Sequence, residues 1–256
     1  MRTDFLTPIK LEEMEKVKLM NRIDRKYFFH IDHLQKLLNS VKEYYFILNI
    51  NNQSEMLYTT TYYDTEKNNM FTAHHNGKLN RYKIRRRSYV SSGISFLEVK
   101  FKTNKGRTKK KRISAEYKNT IFTTQEDSFL NKCSPYHSSD LQISLMNKFT
   151  RITLVNKNFD ERCTIDINLE FKFLDKEIGL DDLVIVEIKS DGNSSISPLA
   201  KVLRELRIKS TGFSKYCIGR TITDADLKRN SFKEKTRSIE KLLHTNTKLY
   251  NKKYIS

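Results

Sequence analysis

Residues 81–87 read Arg81-Tyr82-Lys83-Ile84-Arg85-Arg86-Arg87. In an extended strand, successive side chains point to opposite faces, so Arg81, Lys83, Arg85 and Arg87 share one face and Arg86 points to the other. Same-face neighbours lie roughly 7 Å apart, so these positive charges repel one another. Because no acid interrupts the row, the stretch predicts a strand whose charged face binds a strongly anionic partner.

The whole chain is basic. It has 256 residues, with 48 Lys and Arg against 30 Asp and Glu, which gives a formal net charge of +18. This excess predicts an anionic partner: nucleic acid, polyphosphate, nucleotide or a membrane surface. With 38% hydrophobic residues and only 7 Gly and 3 Pro, the composition excludes collagenous and low-complexity chains and allows one large domain or two small ones.

The cysteines and the apolar runs indicate the compartment. Cys133, Cys163 and Cys217 are odd in number and widely spaced, without a CxxC motif. No apolar run has the length of a signal peptide core or of a transmembrane helix. We therefore expect a reduced, cytoplasmic protein without a transmembrane segment.

Strand patterns dominate the middle of the chain. Residues rich in Tyr, Phe, Val, Ile and Thr predict strands at 44–50, 57–64, 80–90, 95–102, 108–116, 148–156, 161–171 and 182–190. Helices are predicted at 9–20, from Asp32 onward and at 197–208. Residues 125–147 are polar and then weakly helical, 212–217 fit a final buried strand, and the basic segment after 221 contains an amphipathic helix pattern.

The strands alternate between an apolar and a charged face. In 95–102, Leu97, Val99 and Phe101 alternate with Glu98, Lys100 and Lys102, and 161–169 and 182–189 alternate similarly. An open sheet with its polar face in water has this pattern. So does a closed barrel with a charged interior and helices covering its apolar side. Alternation leaves both architectures open.

A Glu-x-Lys motif occurs twice, at Glu98-Val99-Lys100 and at Glu187-Ile188-Lys189. Each places a carboxylate and an ammonium on one strand face, which is also how ordinary surface ion pairs arise. However, Mg²⁺ and Mn²⁺ bind through one or two carboxylates together with substrate phosphates, and Arg is the preferred bidentate phosphate donor. Two such motifs among basic strands are therefore candidate metal and phosphate sites.

Other motifs are incomplete or absent. His30 with His33, and His74 with His75, resemble ligand pairs, but no Cys or third His is spaced to complete a zinc site. The sequence contains neither a P-loop nor a GxGxxG motif, and no nucleophile elbow for Ser-His-Asp chemistry.

The ordered set of motifs resembles the VTC domain, the polyphosphate polymerase branch of the CYTH-like triphosphate tunnel metalloenzymes. The resemblance covers about residues 18–220. The motifs that carry it are Arg22-Ile23-Asp24-Arg25-Lys26-Tyr27, Tyr62-Tyr63-Asp64-Thr65, Arg81-x-Lys83-x-Arg85-x-Arg87-x-Tyr89, Phe96-Leu97-Glu98-Val99-Lys100, Lys110-Lys111-Arg112, Arg151, Glu161-Arg162-x-Thr164-Ile165-Asp166, Val186-Glu187-Ile188-Lys189 and Phe213-Ser214-Lys215-Tyr216.

The resemblance implies an α+β fold. Residues 1–220 would form a closed antiparallel eight-stranded β-barrel, the triphosphate tunnel, with helices packed outside. Residues 221–256 lie outside the resemblance and form a basic C-terminal tail, helical in part.

The resemblance also implies a metal-dependent polymerase. It would transfer the γ-phosphate of ATP to a growing inorganic polyphosphate chain with Mn²⁺ or Mg²⁺. By match, the catalytic residues are Lys26, Arg85, Arg87, Lys100, Arg151 and Lys215; the phosphate-binding residues are Lys83, Lys110, Arg112, Arg162, Lys189 and Ser214; and the metal ligands are Glu187 and, second, Glu98.

Two alternatives remain at this stage. A triphosphatase would use the same site to hydrolyse tripolyphosphate or nucleoside triphosphates. A non-catalytic protein would bind polyphosphate or nucleic acid. We do not expect nucleic acid, because Glu98 and Glu187 would repel its phosphate backbone unless a metal intervened. Polyphosphate, pyrophosphate and ATP are the expected partners, and a membrane partner that takes up the product is left open.

Overall fold

Strands contain more residues than helices in the computed structural model, which describes residues 2–14, 17, 22–117, 119–191, 197–244 and 249. In these residues the strands are β1 (Thr7–Ile9), β2 (Arg22–His30), β3 (Tyr45–Leu48), β4 (Met56–Asp64), β5 (Arg81–Tyr89), β6 (Ile94–Lys102), β7 (Thr108–Ala115), β8 (Gln142–Asn156), β9 (Glu161–Phe173), β10 (Lys176–Leu180) and β11 (Leu183–Asp191). The α-helices are α1 (Leu11–Met14), α2 (Leu34–Val41), α3 (Asn69–His75), α4 (Thr124–Cys133), α5 (Pro198–Glu205), α6 (Lys215–Thr223) and α7 (Lys233–Leu242).

The closed eight-stranded barrel was a wrong prediction. The strands form one 11-stranded sheet in the order β2-β11-β9-β8-β4-β5-β6-β7, with β1, β3 and β10 beside this path. Within the described part of the chain no pairing joins β2 to β7, so the sheet is open. The β1–β3 pair is parallel, so the sheet is not wholly antiparallel either.

The error has a physical cause. Alternation determines which face of a strand a side chain occupies, but it does not determine whether the two end strands of a sheet pair. That pairing depends on contacts between residues distant in the sequence. Three short or charged strands, β1, β2 and β10, have no strand pattern that we predicted from the sequence.

Most local predictions are confirmed. The eight predicted strands correspond to β3–β9 and β11, and α5 has Ser197 as its N-cap and Pro198 in its first turn. Two predictions are wrong: β8 begins at Gln142 where a helix was expected, and α6 begins at Lys215 where a buried strand was expected. For the 9–20 helix, only α1 lies among the described residues. The domain boundary at 220/221 stays a prediction.

The chain divides into two compact units. Unit 1 comprises residues 1–56, 149–169 and 180–213, and unit 2 comprises 57–148, 170–179 and 214–256. In unit 1, α2 and α5 pack on the apolar face of β2, β9 and β11. Phe29, Leu38, Ile165, Val186 and Leu203 are fully or almost fully buried in this core.

In unit 2, α4 covers the apolar face of β5–β7. Ile84, Leu97, Val99 and Leu130 form the centre of this core. Helix α6 packs against β8 and β9 through Gly219, where an added Cβ would come within 2.5 Å of Leu145 and Phe171 side-chain atoms. A helix bearing any larger residue at this position would not fit as closely.

No helix among the described residues is both long and apolar enough to cross a membrane.

Candidate functional site

One face of β5–β7 in unit 2 concentrates positive charge. The strand register places Lys83 opposite Lys100 and Lys100 opposite Lys110, and residues directly opposite in an antiparallel pair share a face. In the same way, Arg81 lies opposite Lys102, and Glu98 lies opposite both Arg85 and Arg112. This cationic face comprises eight cations and one carboxylate: Arg81, Lys83, Arg85, Arg87, Glu98, Lys100, Lys102, Lys110 and Arg112.

Glu98 holds two of these cations. Its Oε2 accepts from Nε of Arg85 at 2.7 Å and lies 2.6 Å from Nη2 of the same guanidinium. Its Oε1 accepts from Nζ of Lys110 at 2.6 Å. Glu98 is only 1% exposed. Burial alone would raise the pKa of Glu98, but the charges of Arg85, Arg87 and Lys110 outweigh it and hold the pKa well below its usual value. Glu98 is therefore a permanent anion that fixes the direction of Arg85.

The N-terminus of α6 reaches the same face. Ser214 caps this helix by accepting from the backbone N–H of Cys217, and its Oγ also accepts from Nζ of Lys83 at 2.8 Å. Lys215 is the first residue of the helix. The structure therefore brings Ser214 and Lys83, which are 131 residues apart in sequence, into direct contact.

A buried carboxylate anchors α6. Asp64, at the end of β4, accepts from the backbone N–H groups of Met70 and Phe71 at 2.9 and 2.8 Å and from the hydroxyl of Tyr216. Tyr216 also stacks on Tyr62, with 5.1 Å between ring centres. These contacts fasten the first turn of α6 to β4 and α3, and so determine where Ser214 lies.

Arg86 is on the opposite face of β5, as the alternation predicts. Its guanidinium pairs with Glu126 of α4 at 3.0 Å, inside the unit 2 core. Arg86 therefore connects a helix to the sheet and takes no part in the cationic face.

Unit 1 contains a second cluster of cations around a carboxylate, which we call the Glu187 cluster (Lys26, Arg151, Arg162, Asp166, Glu187 and Lys189). Lys26 on β2 pairs with Oε1 of Glu187 on β11, and Nζ of Lys189 lies 3.2 Å from Oε2. Burial raises the pKa of Glu187, but Lys189, Lys26 and Arg151 outweigh it and lower the pKa below its usual value. Burial lowers the pKa of Lys189, despite the nearby Glu187.

Asp166 orients an arginine of this cluster. Its two carboxylate oxygens accept from Nε and Nη2 of Arg151 at 2.6 and 2.8 Å, a two-point pair. Arg162 lies opposite Lys189 in the β9–β11 register, so both occupy the same face. Arg151 and Arg162 thus join Glu187, Lys26 and Lys189 in one charged region of unit 1.

The predicted site residues fall into two groups. In unit 2, Glu98 contacts both Arg85 and Lys110, and Lys83 contacts Ser214. Arg87, Lys100 and Arg112 occupy the same face. In unit 1, Glu187 contacts both Lys26 and Lys189. Sequence reasoning missed Asp166 and Asp64 as orienting acids, although alternation with Arg162 places Asp166 on the charged face and could have identified it.

A metal would depend on the substrate for its other ligands. The part of the chain that the structure describes contains no group of three His, Cys, Asp or Glu arranged to hold a metal. Glu187 nevertheless fits Mg²⁺ or Mn²⁺ in donor chemistry, since these ions bind through one or two carboxylates plus phosphate oxygens. The Glu187 side chain is 18% exposed, whereas that of Glu98 is 2% exposed and is held by a guanidinium. Glu187 is the more accessible donor.

A family model, the VTC domain, matches residues 21–223. The chain belongs to the VTC domain family. Membership in this family supports a phosphoryl-transfer function and an enzyme that acts on phosphates. This membership is consistent with the sequence motifs, with the cationic face and with the Glu187 cluster.

Solved structures show more distant likenesses. A candidate adenylate cyclase from Bacillus halodurans is 13% identical, with a TM-score of 0.49, over 76% of this chain and 96% of its own. A candidate adenylyl cyclase from Hippeastrum with a dominant triphosphatase activity is 12% identical, with a TM-score of 0.45, over 77% and 95%. A protein from Pyrococcus horikoshii OT3 is 14% identical, with a TM-score of 0.42, over 74% and 92%. No curated protein matches the chain.

Proposed function

We propose that this VTC-domain protein is a metal-dependent polyphosphate polymerase that transfers the γ-phosphoryl group of ATP to the end of an inorganic polyphosphate chain. One observation carries the proposal: the cationic face presents eight cations around a single carboxylate that is already neutralised by Arg85 and Lys110. The net charge of this face is complementary to a substrate and a product that are both polyanions.

The cations supply what phosphoryl transfer requires. This reaction depends on positioning and on stabilising spread negative charge more than on covalent help from the protein. One cation–phosphate contact at 4 Å in a partly desolvated site is worth roughly 4 kcal/mol before desolvation is subtracted. Several such contacts hold a long polyanion in register.

In unit 2 we assign substrate phosphates to Arg85, Arg87, Lys83, Lys100, Lys110 and Arg112, with Ser214 and Lys215 at the start of α6. Glu98 keeps the Arg85 guanidinium in one orientation, so this arginine is prepared to bind two phosphate oxygens before substrate arrives. Ser214 does the same for Lys83. Glu98 thus acts through Arg85 and is a positioning residue.

In unit 1 we assign phosphates to Lys26, Lys189, Arg151 and Arg162, and the divalent ion to Glu187. The ion, Mn²⁺ or Mg²⁺, would neutralise charge on the phosphates bound in unit 1. Phosphate oxygens give Lys26 and Lys189 alternative partners, which releases the Glu187 carboxylate. The terminal phosphate of a polyphosphate chain is already largely ionised at neutral pH, so no residue has to remove a proton from the attacking oxygen.

The proposal is tested by measuring ADP and polyphosphate together after incubation with ATP and Mn²⁺. A polymerase produces ADP and chain-bound phosphate in equal amounts. Arg85→Gln should abolish both products, whereas Arg107→Gln, an exposed residue in the turn between β6 and β7, should leave them unchanged. ADP accompanied only by free phosphate would assign the protein as a triphosphatase, and no turnover would leave it a binding protein.

A further inference from the structure

One end of the cationic face is aromatic. Tyr58 on β4 lies opposite Tyr89 on β5, and Phe96 on β6 lies opposite Arg87, so all three rings share the face that carries Arg85 and Arg87. The ring centres of Tyr58 and Tyr89 are 4.8 Å apart, and those of Tyr89 and Phe96 are 6.1 Å apart. The three rings form a continuous group, which we call the aromatic end.

Two arginines complete the aromatic end. The guanidinium carbon of Arg112 lies 4.3 Å from the centre of the Phe96 ring, and that of Arg87 lies 5.8 Å from the centre of the Tyr58 ring. Arg112 is exposed, and Tyr89 and Phe96 are only half-buried. The aromatic end therefore offers both rings and a stacked guanidinium plane to a ligand that arrives from solvent.

Tyr89 and Phe96 do not belong to the unit 2 core around Leu97, whereas Tyr58 is buried. That core is built on the opposite face of the same strands, where Ile84, Leu97 and Val99 are buried and Tyr82 packs against them. Ile94, next to the aromatic end on its own face, is 50% exposed. An apolar surface open to solvent and adjoining a dense row of cations has no evident role in packing.

We propose that the aromatic end binds the nucleobase of a nucleoside triphosphate whose phosphates lie on the cationic face. This inference rests on the proposed function and adds the base site to it. Nucleobases stack on aromatic side chains and on guanidinium planes, and one such contact changes affinity by about 5- to 150-fold. Inorganic polyphosphate has no base, so the aromatic end would distinguish the phosphoryl donor from the product.

The base position sets the direction of the nucleotide. With the base at Tyr89 and Phe96, the phosphates lie along the charged face of β5, from Arg87 past Arg85 to Lys83. The terminal phosphate is then closest to Lys83 and Ser214, at the N-terminus of α6. The group to be transferred thus lies at the end of the face that α6 completes, away from the base.

The test compares two ligands that differ by the nucleoside. Dissociation constants for ATP and for inorganic tripolyphosphate are measured by titration calorimetry in EDTA, where no turnover occurs. Phe96→Leu and Tyr89→Leu should each weaken ATP binding about tenfold and change tripolyphosphate binding by less than twofold. Phe101→Leu, which removes a ring stacked on Tyr82 at the other end of β6, should change neither constant.

The outcomes separate the inference from the function it rests on. If wild-type protein binds neither ligand, the proposed function fails. The base site is wrong, and the phosphate sites stand, if the wild-type protein binds tripolyphosphate as tightly as ATP. The same conclusion follows if the leucine variants lower the affinity for both ligands equally, or for neither. Saturation-transfer NMR on the wild-type protein gives a readout that does not depend on variants folding. We expect strong saturation transfer from the protein to the adenine protons, and its absence would contradict the base site.

Discussion

Glu98 and Arg85 form a buried two-point ion pair across neighbouring strands: Oε2 of the carboxylate lies 2.6 Å from Nη2 and 2.7 Å from Nε of the guanidinium. Both side chains are less than a tenth exposed. The pair locks Arg85 within a row of like charges that would otherwise repel one another. Together with the contact between Glu98 and Lys110, the pair offsets part of that repulsion.

Replacing Glu98 with Gln should therefore destabilise the free protein. Removing one partner of a buried pair leaves the other charge unpaired, which costs about 3–5 kcal/mol. Urea unfolding of Glu98→Gln should show this loss in the free energy of unfolding. The control is Glu177→Gln, because Glu177 meets Lys172 at 3.8 Å with both side chains more than half exposed, and it should lose less than about 1 kcal/mol. Equal losses in the two variants would contradict the role given to Glu98.

Tripolyphosphate should stabilise the wild-type protein strongly, because it relieves repulsion among the cations of the face. A ligand at 100 times its dissociation constant adds about 2.7 kcal/mol to the free energy of unfolding. The melting temperature should rise with tripolyphosphate in a concentration-dependent manner, and by less in 1 M salt, where surface charges are screened. An unchanged melting temperature would contradict phosphate binding by the cationic face.

Mn²⁺ should bind well only when phosphate is present. Both oxygens of Glu187 are held by lysines in the free protein, so the ion must displace a cation unless phosphates occupy Lys26 and Lys189. Electron paramagnetic resonance of free Mn²⁺ should show weak binding alone and at least tenfold tighter binding with tripolyphosphate. The comparison includes Mn²⁺ with tripolyphosphate in the absence of protein, so that chelation by the ligand itself is subtracted.

Two glutamate variants sharpen the Mn²⁺ measurement. Glu187→Gln should abolish the phosphate-dependent binding, whereas Glu98→Gln should retain it, since Glu98 serves Arg85. Loss in Glu98→Gln with retention in Glu187→Gln would reverse the two assignments.

His74 should make stability depend on pH between pH 7 and 5. Burial, followed by the charges of Lys83, Arg81 and Lys102, lowers the pKa of His74 to about 3. The unfolded chain takes up the proton near pH 6.5, so the contribution of His74 to stability is complete above that pH and is lost as the pH falls toward 3. The slope cannot exceed about 1.4 kcal/mol per pH unit.

Denaturant unfolding at pH 7, 6 and 5 tests this dependence. His74→Gln should flatten it, and His33→Gln, at an exposed histidine, should not. This pH window lies above the range where unfolded carboxyl groups titrate, so the lowered pKa values of Glu98 and Glu187 do not obscure the result. An equal slope in wild type and His74→Gln would contradict the assignment.

Much of the charged face could be predicted from the sequence, because alternation is a local property. The position of Arg81, Lys83, Arg85 and Arg87 on one face and of Arg86 on the other required only the strand period. Contacts between elements that are distant in the sequence do not follow from such a local pattern. The contact between Lys83 and Ser214 depends on a helix that the sequence suggested was a strand. The openness of the sheet depends on β2 and β7, whose pairing no alternation pattern specifies.

The Glu187 cluster shows the same limit. Lys26 lies on β2, which the sequence did not predict as a strand, so only the family resemblance connected it with Glu187. The role of Asp166 was missed because its partner, Arg151, lies on a different strand, 15 residues away. Residues on one strand were assigned correctly to a face, and partners on different strands required the structure.

The most direct test of the central claim is ³¹P NMR of the protein with ATP and Mn²⁺, followed over time after removal of the metal from each sample. A polyphosphate polymerase predicts growth of the signal of chain-internal phosphates in step with the appearance of ADP, and its absence in Glu187→Gln. Free phosphate as the sole phosphorus product beside ADP, or a spectrum that remains that of ATP, would contradict the claim.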